Sequence, residues 1–151
     1  MSFWKPSTGG GDGSAVIQAS NKRVSLTKSV VQVITSGGDR TITWDTEIMD
    51  TDSMHEGVTN PARITFTTAG TYYIGASLQT SANALLTAKI LLNAGATQIA
   101  YARMSNSNPQ GVVVETMYTF AANDYIYVTI NPSSDGNVAA ASSFFAVRIS
   151  K

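Results

Sequence analysis

An all-β sandwich or jelly roll is the fold this sequence predicts, and three observations predict it. Short runs of β-branched and aromatic residues alternate with polar ones at a period of two; Gly, Asn, Asp and Pro punctuate those runs; and no stretch carries the apolar period of an amphipathic helix. Roughly eight to ten such strands fit one packed pair of sheets. No self-similarity at solenoid or propeller periods competes with that reading.

Residues 1–14 stand apart from the rest, as a short extended arm ahead of a domain over residues 15–151. In MSFWKPSTGGGDGS, two aromatics precede Pro6 and a triple glycine that cannot hold regular structure. Phe3, Trp4, Lys5 and Pro6 are the candidate anchor onto a partner, with the glycines as a hinge; an untidy terminus is the alternative. AVIQA, RVSLT and SVVQVI then open the strand pattern. Residues 36–39, SGGD, make a turn, and ITWDTEIMD follows with Trp44 expected to fill the core.

In RITFT, Ile64 and Phe66 point one way and Arg63, Thr65 and Thr67 the other. TAG supplies a tight turn, in which Gly70 is free to take a positive φ. TYYIGASL alternates again, with Tyr72, Ile74, Ala76 and Leu78 on one face and Tyr73, Gly75 and Ser77 on the other. ALLTAKILL is expected to be a strand despite its helical propensity, because residues 93–95 turn it at once into TQIAYAR. A polar loop at 105–111 leads to VVVETMYTF, and Asn123-Asp124 is expected to close a hairpin onto YIYVTI. A loop at 131–136 and VAAASSFFAVRIS complete the chain.

The stretch over residues 50–78 carries a resemblance. A polar segment with Asp50, Thr51, Asp52, Met54 and His55 is followed by Asn60, Arg63, Ile64, Phe66, Gly70 and Tyr72; LLNAG at 91–95, AANDYIYV at 121–128 and SSFFAVRI at 142–149 come later in a fixed order. In this order and spacing the chain resembles the C1q/TNF-like jelly-roll superfamily, in particular its stand-alone phage and bacterial surface versions. Asn123 departs from the Gly common there, but Asn also tolerates the left-handed conformation.

Composition agrees with a single domain. The 151 residues suffice to bury a core without cross-links, and the absence of cysteine excludes disulfides, thiolate metal sites and a cysteine nucleophile. Ten basic and ten acidic side chains cancel, so net charge recruits neither nucleic acid nor an anionic membrane. Charged residues are 13% of the chain, about half of the usual quarter, which points to a surface partly covered by partners. No apolar run is long enough to span a bilayer, and the N-terminus lacks the pattern of a signal peptide. Synthesis in the host cytoplasm and incorporation into a virion, on the surface of a phage particle, is the expected location.

Several strands are apolar on both faces, as in YIYVTI and FFAVRI, and a lone sandwich has only one inner face per sheet to fill. The resemblance implies that a homotrimer covers the other, aromatic and aliphatic residues of one sheet meeting along the threefold axis. Tyr72 or Tyr73, Tyr118, Tyr125, Tyr127 and Phe145 are then the candidate interface residues. An obligate interface of that kind buries on the order of 2,000 Å² or more.

Candidate chemistry is thin. His55 lies in a polar loop with Asp50, Asp52 and Glu56, and those oxygens form a weak candidate cation site lacking the glycine-centred EF-hand loop; a solvated, capped loop is the alternative. Residues 9–11 neither follow a strand nor open a helix, so they do not cradle phosphate. Aromatics interleave with Thr and Ser rather than with Lys and Arg, unlike a nucleic-acid platform. The expectation is a protein with no catalytic activity, no cofactor and no metal. Two functions fit: a capsid decoration or cement protein bound to the major capsid protein or another virion protein, and a trimeric tail-fibre or receptor-binding head holding a host glycan or protein. A fibre head usually follows a long stalk, which favours the first.

Overall fold

The computed structural model describes residues 22–82, 84–106 and 110–151; the arm with Phe3, Trp4, Lys5 and Pro6, the strand expected at 15–19 and the middle of the loop at 105–111 lie outside them. Twelve strands are described: β1 (Arg23–Thr27), β2 (Gln32–Ile34), β3 (Arg40–Thr41), β4 (Thr46–Asp50), β5 (Arg63–Thr65), β6 (Gly70–Thr80), β7 (Ala84–Leu92), β8 (Thr97–Asn106), β9 (Gln110–Phe120), β10 (Tyr125–Pro132), β11 (Gly136–Val138) and β12 (Ser143–Ser150). Among the described residues there is no helix.

All strand pairs are antiparallel, and they form two sheets. In the seven-stranded sheet β6 pairs with β9 and separately with β12 and β11, β12 pairs with β1 and β1 with β4, while β2 pairs with β11. In the five-stranded sheet β10 carries β5 and β3 along one edge and β7 along the other, with β8 beyond it. The expected jelly roll is thus present, as two sheets packed face to face.

Two turns do something other than close hairpins. TAG joins β5 of the smaller sheet to β6 of the larger, and residues 121–124 join β9 of the larger to β10 of the smaller. The hairpin expected at Asn123-Asp124 is therefore a crossing of the sandwich. Asn123 holds φ at 72°, as the turn requires. The two crossings are tied together, since Phe66 N–H donates to Asp124 O at 2.8 Å and Asn123 N–H to Phe66 O at 2.8 Å. Asn93, in the β7–β8 turn, donates from Nδ2 to Asp124 Oδ1 and accepts from Tyr125 N–H.

Alternation then fills the interior. Ile64, Phe66, Tyr72, Ile74, Ala76 and Leu78 are buried, as are Leu86, Ala88 and Ile90 from the strand with helical propensity. Trp44 is wholly buried and stacks on Phe144, centroids 5.4 Å apart. Phe66 stacks on Phe120 at 3.8 Å, with Tyr72 tilted against Phe66 at 4.6 Å. Gly70, at φ 150°, begins β6 where any Cβ would lie 2.4 Å from Arg148 Nε and 2.6 Å from Ser150 O, so the position has no room for a side chain. Arg148 is itself buried, and its Nη2 donates to Ala69 O at 2.6 Å.

Asp45 clamps the segment between β1 and β2. Burial works against its charge, but Ser29 N–H at 2.6 Å, Ser29 Oγ at 2.7 Å, Val30 N–H and Thr46 Oγ1 all donate to it, and they hold the carboxyl down at about 2. A depressed folded pKa contributes stability above the unfolded value near 3.9, which is lost as pH falls from there toward about 2. Asp45→Asn is therefore expected to melt below the parent at pH 7, the gap narrowing as pH drops from 4 toward 2. Thermal scans across that window check it; a gap independent of pH would sink the assignment.

Candidate functional site

Each sheet turns one face outward, and the two outward faces differ. On the seven-stranded sheet, register aligns Met117 of β9, Tyr73 of β6, Val147 of β12 and Arg23 of β1 in one row, and Glu115, Gly75, Phe145, Ser25 and Met49 in the next. Gly75 matters here because a Cβ would lie 2.8 Å from Phe145 Cζ and 3.2 Å from Glu115 Cβ. The Phe145 ring lies across the backbone at that position. Tyr73 packs on it at 5.4 Å and donates its hydroxyl to Glu115 Oε2 at 2.5 Å, a bond that pushes the phenol above its ordinary value. Met117 at 65%, Val113 at 58% and Ile149 at 48% stand exposed around this pair. A shallow concavity of about 280 Å³ opens between Phe145, Val147, Met49 and Arg23.

The six aromatics expected at a shared interface do not share one face. Tyr72 is a correction: it points inward, fully buried, because Tyr73 takes the outward position and neighbours on a strand face opposite ways. Its hydroxyl donates to Thr68 O at 2.8 Å. Tyr118 sits opposite Tyr72 on the core side of β9, half-buried against Phe120 at 4.9 Å. Tyr125 and Tyr127 belong to the five-stranded sheet and face away from the other outward surface. Tyr73 and Phe145 alone of the six lie on the apolar outward face. The sequence reading missed Met117, Val113, Val147 and Met49, although VVVETMYTF already shows apolar residues at both parities.

On the five-stranded sheet Arg63 is paired with Tyr127, and its guanidinium lies over the Tyr125 ring, 4.1 Å from the centroid. An open cleft of about 450 Å³ is lined by these three residues together with Thr41, Thr59 and Asn60.

The polar loop before β5 is a capped turn. Asp50 accepts from Asp52 N–H and His55 N–H, and Glu56 accepts from Asn60 Nδ2. Asp52 pairs with Lys22 and accepts from Thr67 Oγ1; burial opposes its charge, and the bonds from Lys22, Thr67 and Thr68 hold the carboxyl below the usual range. Each carboxylate already serves the loop, and among the described residues no three metal-ligating side chains converge. His55 has its side chain only 3% exposed, with Nδ1 3.6 Å from Glu47.

Among solved structures, the chain is similar to the globular domain of zebrafish complement 1qA protein, at 14% identity and a TM-score of 0.63, covering 87% of this chain and 99% of that one. It is also similar to the Eiger TNF from S. frugiperda, at 11% identity and a TM-score of 0.67, covering 86% and 93%. At these identities the likeness establishes the fold, a C1q/TNF-like jelly roll. No protein-family model matches the sequence, and no curated protein matches it.

Proposed function

We propose that this chain is the protomer of a non-enzymatic homotrimer, closed through the outward face of its seven-stranded sheet, and that the trimer decorates a phage capsid. The observation that carries the assembly is that face itself: Tyr73, Phe145, Val147, Met49, Met117 and Val113 on one surface of a single chain. Exposed apolar surface of this kind is costly in water and is relieved when copies cover it. The lack of catalysis is supported by His55, enclosed beside Glu47 where it cannot meet a substrate. The virion role draws on the sequence: the resemblance to phage surface domains, and an arm with Phe3 and Trp4 ahead of a glycine hinge. Three arms per trimer multiply one weak contact with the major capsid protein or another virion protein through effective concentration.

Deleting residues 1–11 is expected to leave a folded trimer that no longer binds particles, measured by co-sedimentation with undecorated heads. Undiminished decoration would overturn the anchor. A receptor-binding or tail-fibre head is the second reading, favoured by the polar, aromatic cleft on the five-stranded sheet, which the proposed assembly leaves open.

A further inference from the structure

The cleft on the five-stranded sheet combines groups that the trimer does not use. Arg63 makes no ion pair among the described residues; its one recorded side-chain partner is the Tyr125 ring beneath it. A guanidinium placed over an aromatic face and free of ion pairs keeps N–H donors available, and a planar carboxylate can accept two of them at once. Among the described residues Arg63 is also the only charged one lining the cleft, which matches a ligand with one negative charge better than a di- or triphosphate. Around it the other groups are neutral. Thr41 and Thr59 offer hydroxyls, and Asn60 has its Nδ2 committed to Glu56 while Oδ1 has no partner among the described residues.

Tyr127, its ring centroid 6.3 Å from that of the Arg63-covered Tyr125, adds a second aromatic ring to the lining, and an electron-rich ring face attracts the partly positive C–H groups of a sugar. The volume of about 450 Å³ is within the range of small-ligand sites. The walls are fixed before any ligand arrives. Arg63 N–H donates to Asn60 O at 3.1 Å, Asn60 N–H to Glu56 O at 3.0 Å, and Trp44 N–H to Pro61 O at 2.7 Å, so the loop is pinned to the core. Tyr127 is held between Arg63 on β5 and Leu91 on β7.

The geometry points to a binding site for an acidic sugar, with its carboxylate on Arg63, its ring against Tyr127 and its hydroxyls on Thr41, Thr59 and Asn60. This deepens the recognition reading of function and rests on it. Every group named comes from one chain, so the site and the trimer can fail separately.

The test is a titration of the isotope-labelled full chain with N-acetylneuraminic acid, glucuronic acid and galacturonic acid, following backbone amide shifts, with the mass of the same sample determined by sedimentation. At least one acid is expected to give saturable shifts at residues 59–65 and 125–127. Arg63→Gln is expected to weaken that binding at least tenfold, and Arg63→Lys, which keeps the charge and loses the fork, nearly as much. The methyl ester of the bound sugar should be as weak as Arg63→Gln, and acetate should not saturate the site. Indifference to all three acids, an ester that binds as well as its acid, or acetate that binds as well as the sugar would each overturn the assignment. A monomer that binds would remove the trimer and leave the site standing; a trimer that ignores every acidic sugar would do the reverse.

Discussion

Phe145→Asp is expected to leave monomers of 15.9 kDa where the proposed trimer requires the unaltered chain to sediment at three times that mass. Phe145 lies across Gly75 and against Tyr73, in the middle of the apolar outward face, so closure of the trimer would have to take the new carboxylate out of water, with Arg23 across the concavity and Glu115 on the far side of Gly75. Desolvating a carboxylate costs several kcal/mol even where a partner is near, and threefold symmetry repeats that cost in every subunit. Each 1.4 kcal/mol is about tenfold in an association constant, so the trimer should be lost at any practical concentration. The monomer itself should survive, because Phe145 is only half-buried within it and aspartate can reach water. Circular dichroism should retain its sheet signature. Phe145→Leu, which keeps the surface apolar, should keep the trimer. A Phe145→Asp chain that still sediments at the trimer mass would put the contact elsewhere on the molecule.

Which strand faces water was legible wherever only one face is apolar. Alternation sets Ile64 and Phe66 apart from Arg63, Thr65 and Thr67 and puts Trp44 in the core, and all three apolar residues are buried. Alternation divides a strand into two faces; it does not say which sheet the strand joins. Tyr125, Tyr127 and Phe145 look alike in sequence, as aromatics on two-sided strands, and only strand pairing separates the first two onto β10 from the third on β12. The same ambiguity hid the sheet crossings, since the turn residues at 68–70 and 121–124 suit a hairpin and a crossing equally. Gly75 was visible as a small residue beside Tyr73. Its meaning, a bed for the Phe145 ring, needs the β6–β12 register. Arg63 is visible in the sequence as part of the resemblance and of the polar face of RITFT, but its place over an aromatic ring is not, because that ring arrives some sixty positions later through the β5–β10 pairing.

Truncation at Phe120 should produce the largest loss of stability of any core position near the two crossings. Phe120 ends β9, stacks nearly parallel on Phe66 at 3.8 Å, and lies 6.0 Å from Tyr72 and 4.9 Å from Tyr118. Phe66 is the residue whose N–H and C=O hold Asp124 and Asn123, so the ring stack and the backbone bonds fasten the same corner, where both chain crossings meet. Phe120→Ala would open a cavity between rings that cannot slide together without breaking those bonds. Such truncations cost about 3–5 kcal/mol, a large share of the roughly 5–15 kcal/mol that holds a domain folded. At about 2–4 °C per kcal/mol for a chain of this size, the melting point should fall by about 6–20 °C. Phe120→Leu should cost much less, because most of the volume stays. Because the proposed assembly would make melting depend on concentration, the scans compare variants at one protein concentration. Should Phe120→Ala melt within 2 °C of the parent, the aromatic stack would not be what joins the two sheets at this end, and the fastening would have to reside in the Asn93–Asp124 bonds instead.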